Sequence, residues 1–234
     1  MALALAQAAN GYNAANGTTI AASFGSASAA GSLLYAIVRQ GQNSSFTCTL
    51  TYDAGNTWTA IDNIGQNASQ TGYTFYVKNA LATTTVTATF SSGSITRSII
   101  IVEITGADTG APLDVHVTDV ESAQTVYTSG SLTTSQSNEI LLYAIQCGTD
   151  ITTFTVGSGY TIPTNGTTTR SGLQYKIVSS VQTNVTTTMT VNTAANGSGF
   201  FVAFIAAAAV NLPPDDDPWN VPIVQPQIST ISVW

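Results

Sequence analysis

The chain has one histidine, His116, and it lies between Asp114 and Asp119 in a sequence rich in serine, so a Ser-His-Asp hydrolytic site can be drawn. Alternation along a strand would put Asp114 and His116 on one face, close enough to touch. A nucleophilic serine also needs a Gly-x-Ser-x-Gly elbow and an oxyanion loop, and neither accompanies these residues. A surface histidine in a hydrogen bond is the simpler reading. Glycoside hydrolysis would need two carboxylates across a cleft, about 5–10 Å apart. The glutamates Glu103, Glu121 and Glu139 come singly. Glu103 stands inside the apolar run Ile99 to Ile104 and needs a partner, for which Arg97 or Lys78 are the candidates. Asp108 and Asp114 flank a glycine-containing turn whose oxygens suit Ca²⁺, but the spacing matches no defined calcium loop. These residues define no catalytic group and no metal or cofactor site.

Aromatic side chains offer a different chemistry. Tyr52 and Trp58 flank the turn Asp53-Ala54-Gly55-Asn56, with Tyr73 and Tyr76 further on. Rings stack on the apolar faces of sugars while Asp and Asn take hydroxyls, so Tyr52, Asp53, Asn56 and Trp58 form a candidate glycan contact. The competing reading places the same rings in a β-sandwich core.

Composition narrows the classes. Hydrophobic residues make up 44% and charged residues only 7%, against about 25% charged in an ordinary soluble domain. Ser, Thr, Asn, Gln and Gly carry the polarity, as expected of short strands joined by turns. The net charge is −7, and the five basic residues Arg39, Lys78, Arg97, Arg170 and Lys176 are scattered. Nucleic acid and anionic membrane surfaces both require clustered positive charge, so neither is expected as a partner. Two cysteines, Cys48 and Cys147, fall one in each half at non-equivalent positions. Two small buried thiols are the simpler reading, with a disulfide between the halves the alternative. Met1 to Ala9 lacks a basic leader and a long apolar stretch, so it is read as mature chain. No apolar run reaches the length of a membrane-spanning helix.

The elements that must position any site come in two matched series. LLYAI occurs at Leu33 to Ile37 and again at Leu141 to Ile145. Each copy is followed by a Tyr-Lys strand (Tyr76 to Lys78; Tyr175 to Lys176), a Thr-rich strand and a closing apolar run. The repeat of about a hundred residues is too long for a solenoid and suits half of a large sandwich. Strands are expected at 18–24, 32–39, 46–52, 57–61, 73–79, 83–90 and 97–104. In the second half they are expected at 113–120, 125–132, 139–146, 152–156, 173–178, 186–191 and 199–205. The turn at Asp53 to Asn56 is expected to close a hairpin. The domain reading is an N-terminal extension (1–17), a body (18–209, in halves 18–106 and 107–209) and an arm (210–234).

Asn211 to Trp234 differ in character, holding five of the seven prolines and two of the three tryptophans. Proline at this density excludes a central strand and favours an extended arm. Trp219, Ile223, Val224, Ile228, Ile231 and Trp234 are the residues that could anchor it, preferably on a partner.

The segments AGSLLYAIVRQ, TYDAGNTWTAI, FYVKNA, TVTATF, RSIIIVEITGADTGAPLDV and LQYKIVSS resemble an all-β, lectin-like jelly-roll module. That module occurs in bacteriophage virion proteins and in bacterial secreted or surface proteins. The resemblance spans roughly Thr18 to Ala206 and rests on ordered strand motifs, so it speaks for fold before function. It implies a jelly-roll β-sandwich, here of two pseudo-repeated halves with an extended Pro-rich C-terminal arm. It also implies surface display, adhesion or particle decoration, and brings no catalytic residues. With no export signal read, the expectation is a non-enzymatic virion protein, made in the host bacterial cytoplasm and placed on the virion surface. It would decorate or stabilise a capsid, with other virion proteins and copies of itself as partners. The alternative is a carbohydrate-binding adhesion module on a tail or an extracellular surface, with host glycans as partners.

Overall fold

A computed structural model describes residues 2–41, 46–52, 55, 57–66, 70–94 and 96–208. The described residues form thirteen strands and no helix. In the first half these are β1 (Ala4–Asn13), β2 (Gly17–Ser23), β3 (Ser32–Gln40), β4 (Cys48–Tyr52), β5 (Thr59–Gln66), β6 (Gln70–Ala80), β7 (Thr85–Ser94) and β8 (Arg97–Thr105). In the second half they are β9 (Leu113–Thr128), β10 (Glu139–Cys147), β11 (Phe154–Thr155), β12 (Ser171–Val178) and β13 (Thr188–Ile205). Every pairing between them is antiparallel.

The pairings are nested. β1 pairs β8, β2 pairs β7 and β3 pairs β6, as when one long antiparallel ribbon is rolled up, which is the jelly-roll topology. The second half repeats the roll with fewer, longer strands. The front of β9 (Leu113 to Glu121) pairs the back of β13, and the back of β9 (Val126 to Thr128) pairs the front of β13. β10 pairs β12 inside them. Each half therefore closes into its own sandwich. The first has an inner sheet of order β1-β8-β3-β6-β5 and an outer sheet β2-β7-β4. In the second, the inner order is β9-β13-β10-β12, and β11 with the adjoining ends of β13 and β9 covers it.

Alternation explains the layering. The β3 run SLLYAIVRQ is buried along its whole length, because its two faces enter different cores. Leu34, Ala36 and Val38 join Ile99, Ile101, Val86 and Phe90 inside the first sandwich. Leu33, Tyr35 and Ile37 meet Ile140, Leu142, Val202 and Phe204 of the second half in a central core. Leu141, Tyr143 and Phe201 turn the other way, toward Tyr127, Met189 and Val191. LLYAI is apolar without alternation because both copies form strands buried on two sides. Each such Leu or Ile stabilises the fold by about 1.5–3 kcal/mol on burial.

One end of the central core is polar. Gln146 Nε2 donates to Val38 O (2.9 Å), Gln70 Nε2 donates to Gln146 O (2.8 Å), and Ser98 and Ser171 share a hydroxyl bond of 2.7 Å. These buried bonds cross between the halves and fix their mutual register, since a slipped arrangement would strand each partner. Arg39, fully buried at this end, bonds Gln70 Oε1 (2.8 Å) and Thr96 Oγ1 (3.1 Å). Burial, helped by nearby Arg170, lowers its pKa to about 10.

Four expectations change. Residues 4–13, read as an extension, form β1 at an edge of the first inner sheet. β4 and β5, the strands on either side of 53–56, do not pair with each other as a hairpin, because β4 pairs β7 while β5 pairs β6. The strands expected at 113–120 and 125–132 are largely one bent strand, β9, and those at 186–191 and 199–205 are one strand, β13. Register breaks between Thr190 and Gly197 let β13 pass from the outer layer to the inner sheet.

Candidate functional site

The residues with catalytic potential are dispersed. His116, on β9, bonds neither Asp114 nor Asp119; its Nδ1 lies 3.1 Å from Asp62 Oδ1 on β5. β5 and β9 are edge strands of the two inner sheets, so this pair bridges the halves along one seam. Asp114 instead accepts from Ser135 N (2.7 Å) and Ser135 Oγ (2.5 Å). Asp119 lies beside the Tyr143 hydroxyl at 3.5 Å. Burial, with Glu121 nearby, pushes its carboxyl up to about 7.

The buried glutamates are held in two ways. Glu103 Oε2 accepts from Gln7 Nε2 (2.7 Å) and Oε1 from Ala29 N (2.6 Å). The basic partners expected from sequence are engaged elsewhere or absent from this contact; Lys78 Nζ donates to Gly110 O. Glu139 is fully buried, and neither carboxyl oxygen has a partner at hydrogen-bonding geometry. Burial first, then neighbouring Asp114, raise its pKa to about 8, partly offset by the Gln136 amide and Thr134 hydroxyl. Asp108 closes a local turn, accepting from Gly110 N (2.8 Å) and Ala111 N (2.7 Å). These two amides hold its carboxyl below the usual range. Among the described residues, no group of three or more His, Cys, Asp or Glu is placed to hold a metal ion.

Tyr52 and Trp58 meet edge to face, ring centres 5.9 Å apart at 85°, and both pack against the first core. The indole N–H of Trp58 is buried without a partner. Their companions on β6 diverge. Tyr73 is buried in the first core and donates to Phe46 O (2.7 Å), whereas Tyr76 packs on Phe204 in the central core. Asp53 and Asn56 lie outside the described residues. So do the proposed anchors Trp219, Ile223, Val224, Ile228, Ile231 and Trp234. Cys48 and Cys147 are free thiols in separate cores, and burial pushes them up to about 12 and about 11.

A groove of about 510 Å³ lies on the opposite seam from His116. Leu5, Ala6, Gln7 and Ala8 of β1 form one wall, Thr161 to Asn165 the other, with Gly25 and Tyr175 completing it. Below it, Asn10 Nδ2 donates to Asn165 O (3.0 Å) and Thr167 O (2.8 Å), and Asn165 Nδ2 donates to Ala8 O (3.3 Å). Sequence reading passed over this site because its walls are some 155 residues apart and carry no ionisable motif. No protein-family model matches the chain, and no curated protein matches it.

Proposed function

We propose that the chain is a non-enzymatic structural component of a phage particle, a capsid-decorating or particle-surface protein. The observation that carries this reading is the joining of two complete jelly rolls, through a shared core and buried polar bonds, into one block. Such a block suits load-bearing display. The ionisable side chains that could react are instead spread over separate contacts: Glu103 on Gln7, His116 on Asp62, Arg170 on Asp150. The resemblance of the strand motifs to virion jelly rolls supports the same reading. In it, residues 211–234 anchor the block to other virion proteins or to further copies, with Trp219 and Trp234 as the largest contacts. The protein would be made in the host cytoplasm and end on the virion surface.

The test is deletion of Asn211 to Trp234, with particle incorporation and thermal unfolding measured together. The reading expects a folded body that no longer joins particles. Undiminished incorporation would reject it.

A further inference from the structure

We infer that the seam groove between β1 and the 161–165 segment is a binding site for a neutral saccharide. This goes beyond the structural role proposed above and does not depend on it. The lining sets the ligand class. Among the described residues, no Asp, Glu, Lys, Arg or His borders the groove, so nothing there recognises charge. What borders it is Gln7, Thr161, Thr164 and Asn165, which can exchange hydrogen bonds with hydroxyls, and Pro163 and Tyr175, which offer apolar and aromatic surface. Neutral amides and hydroxyls beside an aromatic ring match a sugar, with its apolar ring face and rim of hydroxyls. The volume falls within the range of about 300–1,000 Å³ usual for small-ligand sites.

Two backbone irregularities face each other across it. β1 breaks register between Leu5 and Gln7, which leaves Ala6 unpaired at the groove. Asn165 adopts a left-handed conformation with φ 63°. The bulge bends β1 at the groove wall, and the Asn165 conformation belongs to the tight turn closed by Gly166 N donating to Pro163 O (2.8 Å). Buried Glu103 also gains a purpose here. A carboxylate only accepts, so it draws the Gln7 amide nitrogen inward, where that nitrogen also donates to Ser26 O (3.2 Å). The Gln7 carbonyl oxygen is then the end left for an incoming hydroxyl. Glu103 is thus a positioning residue for Gln7.

The experiment presents the full chain to an array of neutral and charged oligosaccharides built from hexose and N-acetylhexosamine units. Hits are then titrated by saturation-transfer NMR. At least one neutral glycan should bind. Ala6→Trp, which fills the groove from an exposed position, should abolish binding without lowering the melting temperature. Tyr175→Ala should weaken it about tenfold, as expected for loss of one aromatic contact, and Trp58→Ala should leave it unchanged. The inference fails if no neutral glycan binds, if only charged glycans bind, or if both groove variants bind like wild type. It fails equally if Trp58→Ala is the change that removes binding, which would move the sugar to the Tyr52–Trp58 pair.

Discussion

Each sandwich buries a glutamate beside the loop that leads into its LLYAI strand, and the two are treated in opposite ways. In the first half, Glu103 meets only donors, the Gln7 amide and the Ala29 N–H. In the second, Glu139 faces another acid, Asp114, and burial holds it protonated well into the neutral range. The roll is the same around both. The backbone pairing and the apolar faces therefore set the fold, and the ends of the cores are finished independently. A duplicated architecture tolerates this because the nested strand pairs, not the end groups, decide which layers form.

Removing each glutamate should separate the two cases most sharply. Glu103→Ala removes a buried carboxylate that accepts from Gln7 Nε2 and Ala29 N, leaving the Ala29 N–H without that acceptor, and should cost about 1–3 kcal/mol in urea unfolding. Glu139→Gln should cost far less, because it replaces a carboxyl that the fold already keeps neutral. Equal losses would break the comparison.

The pH dependence comes next in size. Glu139 is raised to about 8 in the fold, from an ordinary value of about 4.3. Between those values the folded chain holds a proton that the unfolded chain has released, so raising the pH favours unfolding. The Glu139 contribution is complete below the lower value and is lost as pH rises through about 8. Asp119, raised to about 7, adds a slope of the same sign. Unfolding midpoints should therefore fall from acid to mildly alkaline pH, and Glu139→Gln should flatten the fall. A slope unaltered by that substitution would remove Glu139 as its source.

Asp114→Asn sharpens the comparison further. Asp114 is the second cause of the Glu139 shift after burial. Its neutralisation should lower the Glu139 pKa, so that the loss of stability with rising pH becomes smaller and ends at a lower pH, since an ionised Glu139 no longer faces a second charge. No movement would show burial acting alone. The smallest effect is expected at the other seam. His116→Ala should change stability by only about 0–1 kcal/mol, as for an exposed ion pair, because the histidine is 40% exposed.

Much of the roll was legible in the sequence, for reasons that also explain what was hidden. β3, β8, β10 and the back of β13 are dense in Val, Ile, Leu and Phe, which suit a pleated surface buried on both sides. β1 is built mostly of Ala, Asn, Gln and Gly, with Leu5 and Tyr12 its only large apolar or aromatic side chains, and carries no such signal. It is a strand because β8 and the 165–167 backbone bond it. β9 and β13 each looked like two strands because polar, glycine- and alanine-containing stretches interrupt them, at Ala123 and around Asn196. The Asp62–His116 pair and the seam groove were invisible for a different reason. Each joins one half to the other, and a pairwise contact between distant segments leaves no local pattern to read.

The central claim is that the two jelly rolls are locked into one cooperative body, and scanning calorimetry of the full chain tests it most directly. Wild type should unfold in a single transition whose calorimetric and van't Hoff enthalpies agree. Gly72→Val puts a Cβ 2.1 Å from Gln146 Oε1 and 2.6 Å from Phe200 Cζ across the central core, and should split or markedly lower that transition. Two separate transitions in the wild type, one for each sandwich, would contradict the claim.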